Sequence, residues 1–204
     1  MTNQIYKNKI MKIGITGGTG SGKSSVCRYL EDRGFQVIDS DAIARQILEN
    51  DSDAYKTVVS HFGKSILSSN GEINRKVLGS IVFASSEELD FLQNVVTKKT
   101  VEKVIQIMDT IVPEKKFVFL DAPILFEVGL DKYVDRVWMV LASREQRTKR
   151  LSKRDGISDF EIEKRMAAQM PEDEKKKLSD DIILNNGTLY ELHLRVDELL
   201  EDLI

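Results

Sequence analysis

GGTGSGKS, residues 17–24, sets four glycines within six positions and follows them directly with Lys23 and Ser24. The stretch fits G-x-x-x-x-G-K-[ST], with Gly17, Gly22, Lys23 and Ser24 at the fixed positions. An ordinary turn needs one or two glycines, and a string this rich in them serves a different purpose. Glycines let backbone N–H groups approach an anion without Cβ collisions, and successive N–H groups make a concave nest for phosphate oxygens. The flanks decide the matter. KIGIT (12–16) reads as a strand before the loop, and SSVCRYLEDRG (24–34) reads as a helix after it, with Val26 and Leu30 four apart and Gly34 as its stop. The helix beginning near Lys23 adds a positive dipole end. The stretch Gly17, Gly18, Thr19, Gly20, Ser21, Gly22, Lys23, Ser24 and Ser25 is therefore expected to bind nucleotide phosphates. Lys23 would reach the β- and γ-phosphates, and the Ser24 hydroxyl would ligate Mg²⁺.

Further strands are predicted at FQVID (35–39), FVFLD (117–121), RVWMVLA (136–142) and DIIL (181–184). Most are near-continuous apolar runs, as strands covered on both faces are. Helical patterns separate them, which points to an α/β fold with a five-stranded parallel sheet flanked by helices. Ser85 with Glu88 and Thr188 with Glu191 each read as a capping box. The second opens a helix whose stripe is Leu189, Leu192, Val196, Leu199 and Leu203. Residues 42–115 show much helix and no convincing strand, and 144–177 are charged and poor in apolar residues. The expected organisation is a single domain, 10–204, with a core of 10–41, 116–143 and 178–204. The helical insertion is 42–115, the lid is 144–177, and 1–9 form a short extension, with Met11 an alternative start.

Composition narrows the function. A chain of 204 residues with 41% hydrophobic content can bury a real core, and its net charge of −3 gives no footprint for nucleic acid. Its one cysteine, Cys27, permits no internal disulfide, and no zinc spacing is present. No apolar run approaches a membrane span, and MTNQIYKNK (1–9) lacks the apolar stretch of a secretory signal, so a cytoplasmic location is expected.

Phosphate loops serve GTPase switches, ATPases and small-molecule kinases. No N-K-x-D guanine reader is present, and Asp121 is followed by Ala-Pro-Ile instead of the D-x-x-G of a switch. A motor ATPase wants a larger core. A kinase needs a base, a cationic cover and an acceptor pocket. VIDSD (37–41) ends a strand at the working edge of an open sheet. Taken alone, Ser40 or Asp41 there reads as a helix cap. With a phosphate loop on the same edge, Asp41 reads as the general base, ahead of Asp39, which belongs to the strand. SREQRTKRLSKRD (143–155) puts Arg147, Arg150 and Arg154 three and four apart, on one face of a helix. A charge run of this kind is usually a solvated surface. This one is nearly all positive in an acidic chain and directly follows a core strand, which favours a phosphoryl cover. Asp121, ending FVFLD, reads equally as an indirect support for Mg²⁺ and as a turn-forming acid.

Together these strings resemble the dephospho-coenzyme A kinases of the P-loop kinase superfamily. The resemblance runs from Ile10 to about Leu200 through IGITGGTGSGKSSV, VIDSDAIAR, GEINRKVLGSIVF, DAPILFEVGL, QRTKRLSKRDG, RMAAQM and DDIILNNG. It implies transfer of the ATP γ-phosphoryl to the ribose 3′-hydroxyl of dephospho-CoA, the last step of coenzyme A synthesis. It implies catalytic roles for Asp41, Lys23, Arg147, Arg150 and Arg154, and acceptor contacts from Asp41, Arg45 and Arg75. Asn185, Asn186 and Gly187, by themselves a turn, would lie beside the adenine. Where the family often has His-Pro, this chain has Thr97-Lys98. A kinase for another acceptor, such as a nucleoside monophosphate, and a slow nucleotide-hydrolysing regulator are the competing readings.

Overall fold

The computed structural model describes residues 10–50, 52–111, 116–156, 158–167 and 169–203; the expected extension at 1–9 lies outside them. Five strands form one parallel sheet in the order β2-β3-β1-β4-β5. They are β1 (Met11–Thr16), β2 (Gln36–Asp39), β3 (Phe117–Asp121), β4 (Arg136–Leu141) and β5 (Asp181–Leu184). Each predicted strand is present, with ends shifted by a residue at most. The agreement has a simple cause. Parallel strands need crossovers that cover both faces, so their apolar runs are uninterrupted and easily recognised.

Ser40–Thr110 form one compact unit, and the sheet and remaining residues form another. In the sheet unit, Ile13, Ile15, Phe119, Trp138 and Val140 are fully buried. They pack with Val26 and Leu30 of α1 (Lys23–Asp32) and with Leu192, Val196, Leu199 and Leu200 of α9 (Leu189–Glu201). Gly14 lies in β1 because a Cβ there would come 3.0 Å from Leu125, in the segment after β3. Thr188 completes the predicted capping box with Glu191. The predicted stripe needs one correction: Leu189 is 61% exposed and Leu200 takes its place in the core. The reason is position, since the first turn of α9 follows an exposed end of edge strand β5, where Leu184 is itself 60% exposed.

The helical unit contains α2 (Ser40–Gln46), α3 (Asp53–Phe62), α4 (Arg75–Val82) and the 24-residue α5 (Ser86–Asp109). Val58, Ile66, Leu78 and Val82 form its centre. Among its described residues the only pairing of strand type is an isolated bridge, Leu67 with Ile73. Ser85 caps α5 by accepting from the Glu88 N–H, but the Glu88 side chain does not close the box. It bonds His61 Nε2 at 2.6 Å instead, and His61 stacks on Phe91 with ring centroids 3.7 Å apart. Thr97 and Lys98 lie within α5. Three further helices, α6 (Arg144–Asp155), α7 (Asp159–Ala167) and α8 (Glu172–Leu178), connect β4 to β5.

Candidate active site

The glycine-rich loop leaves the buried end of central strand β1 and enters α1 at Lys23. Ser21 N–H donates to Gly18 O at 3.0 Å, closing a tight turn, and Ser25 N–H donates to Gly22 O at 2.9 Å, starting the helix. Gly22 is the N-cap with φ 94°, a left-handed conformation that glycine adopts without strain. Strand, loop and helix stand in the predicted order, so the loop amides and the α1 dipole share one end of the sheet.

The loop is braced from three directions. Asn185, 5% exposed and directly beyond β5, donates from Nδ2 to Ser21 O at 2.8 Å. Arg150 donates to the same carbonyl at 3.2 Å and to Asn185 O and Oδ1 at 2.9 and 3.1 Å. Arg147 donates from Nε to Thr19 O at 2.8 Å and is ion-paired with Glu172. Gln169 Oε1 accepts from both Thr19 N–H and Thr19 Oγ1, at 3.0 and 3.2 Å. Two of the three arginines read from the charge run thus converge on the phosphate loop. Arg154 turns to Asp155 at 2.7 Å, which raises its already high pKa through that hydrogen bond. Asn186 Oδ1 accepts from Ser143 N–H at 2.7 Å beside a cavity of about 280 Å³, lined in part by Leu141, Arg144, Lys176 and Leu184.

Lys23 is ion-paired with Asp121 at the end of β3. Asp121 stands in register with Asp39 at the end of β2, so two carboxylate-bearing positions occupy adjacent strand ends. Ser24 is exposed in the first turn of α1. Among the described residues no three His, Cys, Asp or Glu side chains cluster as a metal site. The available donors are hard oxygens, the Ser24 hydroxyl and the Asp121 carboxylate, which suit Mg²⁺ completed by phosphate and water. Cys27 lies buried in α1; burial first, then the Asp121 charge, push its thiol far above the ordinary range. Both effects disfavour the thiolate, the reactive form of a cysteine.

In the helical unit, Asp41 is exposed in the first turn of α2. Arg45 and Arg75 come together there: the Arg75 guanidinium donates to Arg45 O at 2.9 Å. Arg75 also edges a cavity of about 520 Å³ lined by Leu48, Glu49, Asn50, Glu72 and Ile73.

Gln169, Glu172 and the buried Asn185 side chain are the contacts that spacing did not reveal. Gln169 lies in RMAAQM and Glu172 in the charged run PEDEKKK, but neither string says that its side chain reaches the loop or Arg147. Asn185 had the context of a strand end, but only as a turn residue.

Comparison with known proteins agrees with this geometry. The profile of the dephospho-CoA kinase family matches residues 11–191. The dephospho-CoA kinase of Carboxydothermus hydrogenoformans is 41% identical over 181 residues, 87% of this chain and 86% of the relative. That of Streptococcus pneumoniae is 36% identical over 189 residues, 93% of this chain and 94% of the relative. Among solved structures, the dephospho-CoA kinase from Campylobacter jejuni superposes with a TM-score of 0.70 at 28% identity, covering 94% of this chain and 96% of that one. With a phosphate loop on the central strand and a likeness that spans nearly every element, this chain belongs to the dephospho-CoA kinase family.

Proposed function

We propose that this chain transfers the γ-phosphoryl of ATP to the ribose 3′-hydroxyl of dephospho-CoA, giving coenzyme A. The observation that carries the reading is the convergence of Arg147 and Arg150 on the glycine-rich loop that ends at Lys23, in a chain whose family acts on that acceptor. In-line phosphoryl transfer asks little covalent chemistry of a protein. It asks for positioning and for stabilisation of charge on the moving oxygens.

The loop amides from Gly18 to Ser24 and the α1 dipole hold the β-phosphate. Lys23 leaves Asp121 for the β- and γ-oxygens, a short movement for a flexible stem already beside the loop. Ser24 and Asp121 are the residues that would hold Mg²⁺, Asp121 indirectly through water. The ion would offset charge on the β- and γ-oxygens. Arg147 and Arg150 cover the transferring group from the lid and exclude water, a smaller acceptor at far higher concentration. The turn Asn185-Asn186-Gly187 borders the adenine, consistent with the cavity beside Asn186. Asp41 takes the proton of the acceptor hydroxyl, and Arg45 and Arg75, already in contact, bind the acceptor's anionic groups. In this account residues 42–115 hold the acceptor and 144–177 form the lid. Asp39 is the second carboxylate to test, because it shares the sheet edge with Asp121.

The experiment is a coupled ADP-release assay with ATP and Mg²⁺ over an acceptor panel of dephospho-CoA, AMP and adenosine. ADP release should require dephospho-CoA. Equal or faster turnover with AMP would make the chain a nucleotide kinase. ATP binding without acceptor-dependent ADP release would favour a regulatory role.

A further inference from the structure

Lys175 is fully buried, which is rare for a lysine. It lies on α8, outside the loop and the arginine run, yet its surroundings connect to both. Its Nζ donates to Pro123 O at 2.8 Å and pairs with Glu127 at 2.7 Å. Each partner has a second attachment. Pro123 O also accepts from Thr16 Oγ1 at 3.2 Å, and Thr16 is the last residue of β1 before the loop. Glu127 Oε1 also accepts from Met170 N–H at 3.0 Å, and Met170 follows Gln169, which holds Thr19. At the head of α8, one turn before Lys175, Glu172 pairs with Arg147. The Lys175 site therefore joins the root of the phosphate loop, the segment after β3, the Gln169-Met170 turn and the helix that presents Glu172.

The pairing is well satisfied. Burial by itself raises the Glu127 carboxyl, but the hydrogen bonds from Lys175 and Met170 outweigh it and hold the group below the usual carboxylate range. A buried charge is retained only where it is paired and hydrogen-bonded, and well-packed apolar residues would often stabilise as much. Stability alone thus gives weak grounds for a lysine at 175. Setting the register of a charged cover against a loop gives a stronger one.

We propose that Lys175 is a positioning residue for phosphoryl transfer: through Glu127 and Pro123 O it fixes α8 and the Gln169-Met170 turn so that Arg147 is held at the phosphate loop. The role rests on the kinase reading above, in which Arg147 covers the transferring group. Lys175 itself touches neither substrate, and its effect passes through Arg147.

The test is a kinetic cycle on the full chain with ATP, Mg²⁺ and dephospho-CoA: wild type, K175M, R147A and K175M/R147A, each also followed by thermal unfolding. K175M keeps the apolar stem and removes the charge. Loss of registration should lower kcat by about 10- to 100-fold with little change in KM for dephospho-CoA. In the R147A background the same change should cost no more than about twofold, because the group it positions is already gone. A role confined to stability would lower the unfolding temperature and give equal kinetic costs in both backgrounds. That additivity, or an unchanged kcat in folded K175M, overturns the proposal. If K175M does not fold, E127Q in the same cycle decides by the same criteria, since its amide oxygen can still accept from Lys175 and Met170 without the charge. A wild-type chain that releases no ADP with dephospho-CoA would sink the kinase reading; a turning-over wild type with an additive cycle would sink the positioning role alone.

Discussion

Gly22→Ala tests the loop most severely, and the packing around Gly22 sets its cost. The residue has φ 94°, and a Cβ built on it lands 2.0 Å from Asn185 Nδ2. Asn185 has little room to yield: it is 5% exposed, donates to Ser21 O at 2.8 Å and accepts from Arg150 at 3.1 Å. The side chain must swing out, and the Ser21 carbonyl loses its amide partner. A Cβ in the left-handed region costs about 1–2 kcal/mol. The Ser21 carbonyl keeps Arg150, so the loss is that of one hydrogen bond, about 0.5–1.5 kcal/mol. The reduced entropy of the unfolded chain returns about 0.4–1 kcal/mol. The net loss is then about 0.5–3 kcal/mol, and at about 2–4 °C per kcal/mol for a chain of this size the midpoint falls by about 1–12 °C. Gly34→Ala is the control. Gly34 has φ 79°, but a Cβ there meets nothing within 4 Å, so only the backbone term applies and the midpoint should fall by no more than about 6 °C. G34A should keep wild-type kcat/KM for ATP, whereas G22A should lose at least about tenfold. Differential scanning fluorimetry and steady-state ADP release read both quantities. The decisive comparison is G22A/N185A, which removes the colliding amide and should be less destabilised than the sum of the single variants by about 1 kcal/mol or more. Strict additivity, or equal losses in G22A and G34A, would refute the steric reasoning.

Three further outcomes are expected. Asp41→Asn should lower kcat by about 10²–10⁴-fold while ATP affinity, measured with a fluorescent analogue, is kept; an unchanged kcat would remove Asp41 from the mechanism, and D39N run beside it tests the neighbouring strand-end acid. Glu127 has a lowered carboxyl pKa in the folded chain, so its contribution to stability is complete above the unfolded value of about 4.3 and is lost as pH falls through the lower folded value. The difference in unfolding midpoint between wild type and E127Q should therefore shrink as the pH is taken below about 4.3, and a difference that widens in acid would contradict the assignment. Cys27, buried and with its thiol pushed up, should resist a thiol-exchange reagent in the native protein and label fully in denaturant; fast native labelling would show that α1 opens more readily than its packing implies.

Much of this protein is written locally. The run KIGIT, the glycines at 17, 18, 20 and 22, and the helix ending at Gly34 define strand, loop and helix by short-range rules, because apolar period, left-handed backbone and capping involve only near neighbours. The same rules locate every strand and the Thr188-Glu191 cap. They fail where a side chain chooses a distant partner. Glu88 has the spacing of a capping box and bonds His61 instead. Arg147, Arg150 and Arg154 look alike along the helix, yet two brace the phosphate loop and the third turns to its neighbour. Asn185, Gln169 and Lys175 reach partners 164, 150 and 52 positions away. Sequence spacing specifies which element a residue occupies and which face it shares. The partner it meets depends on how β4, β5 and the segment after β3 pack around the central strand, and that is settled only when the whole sheet has formed.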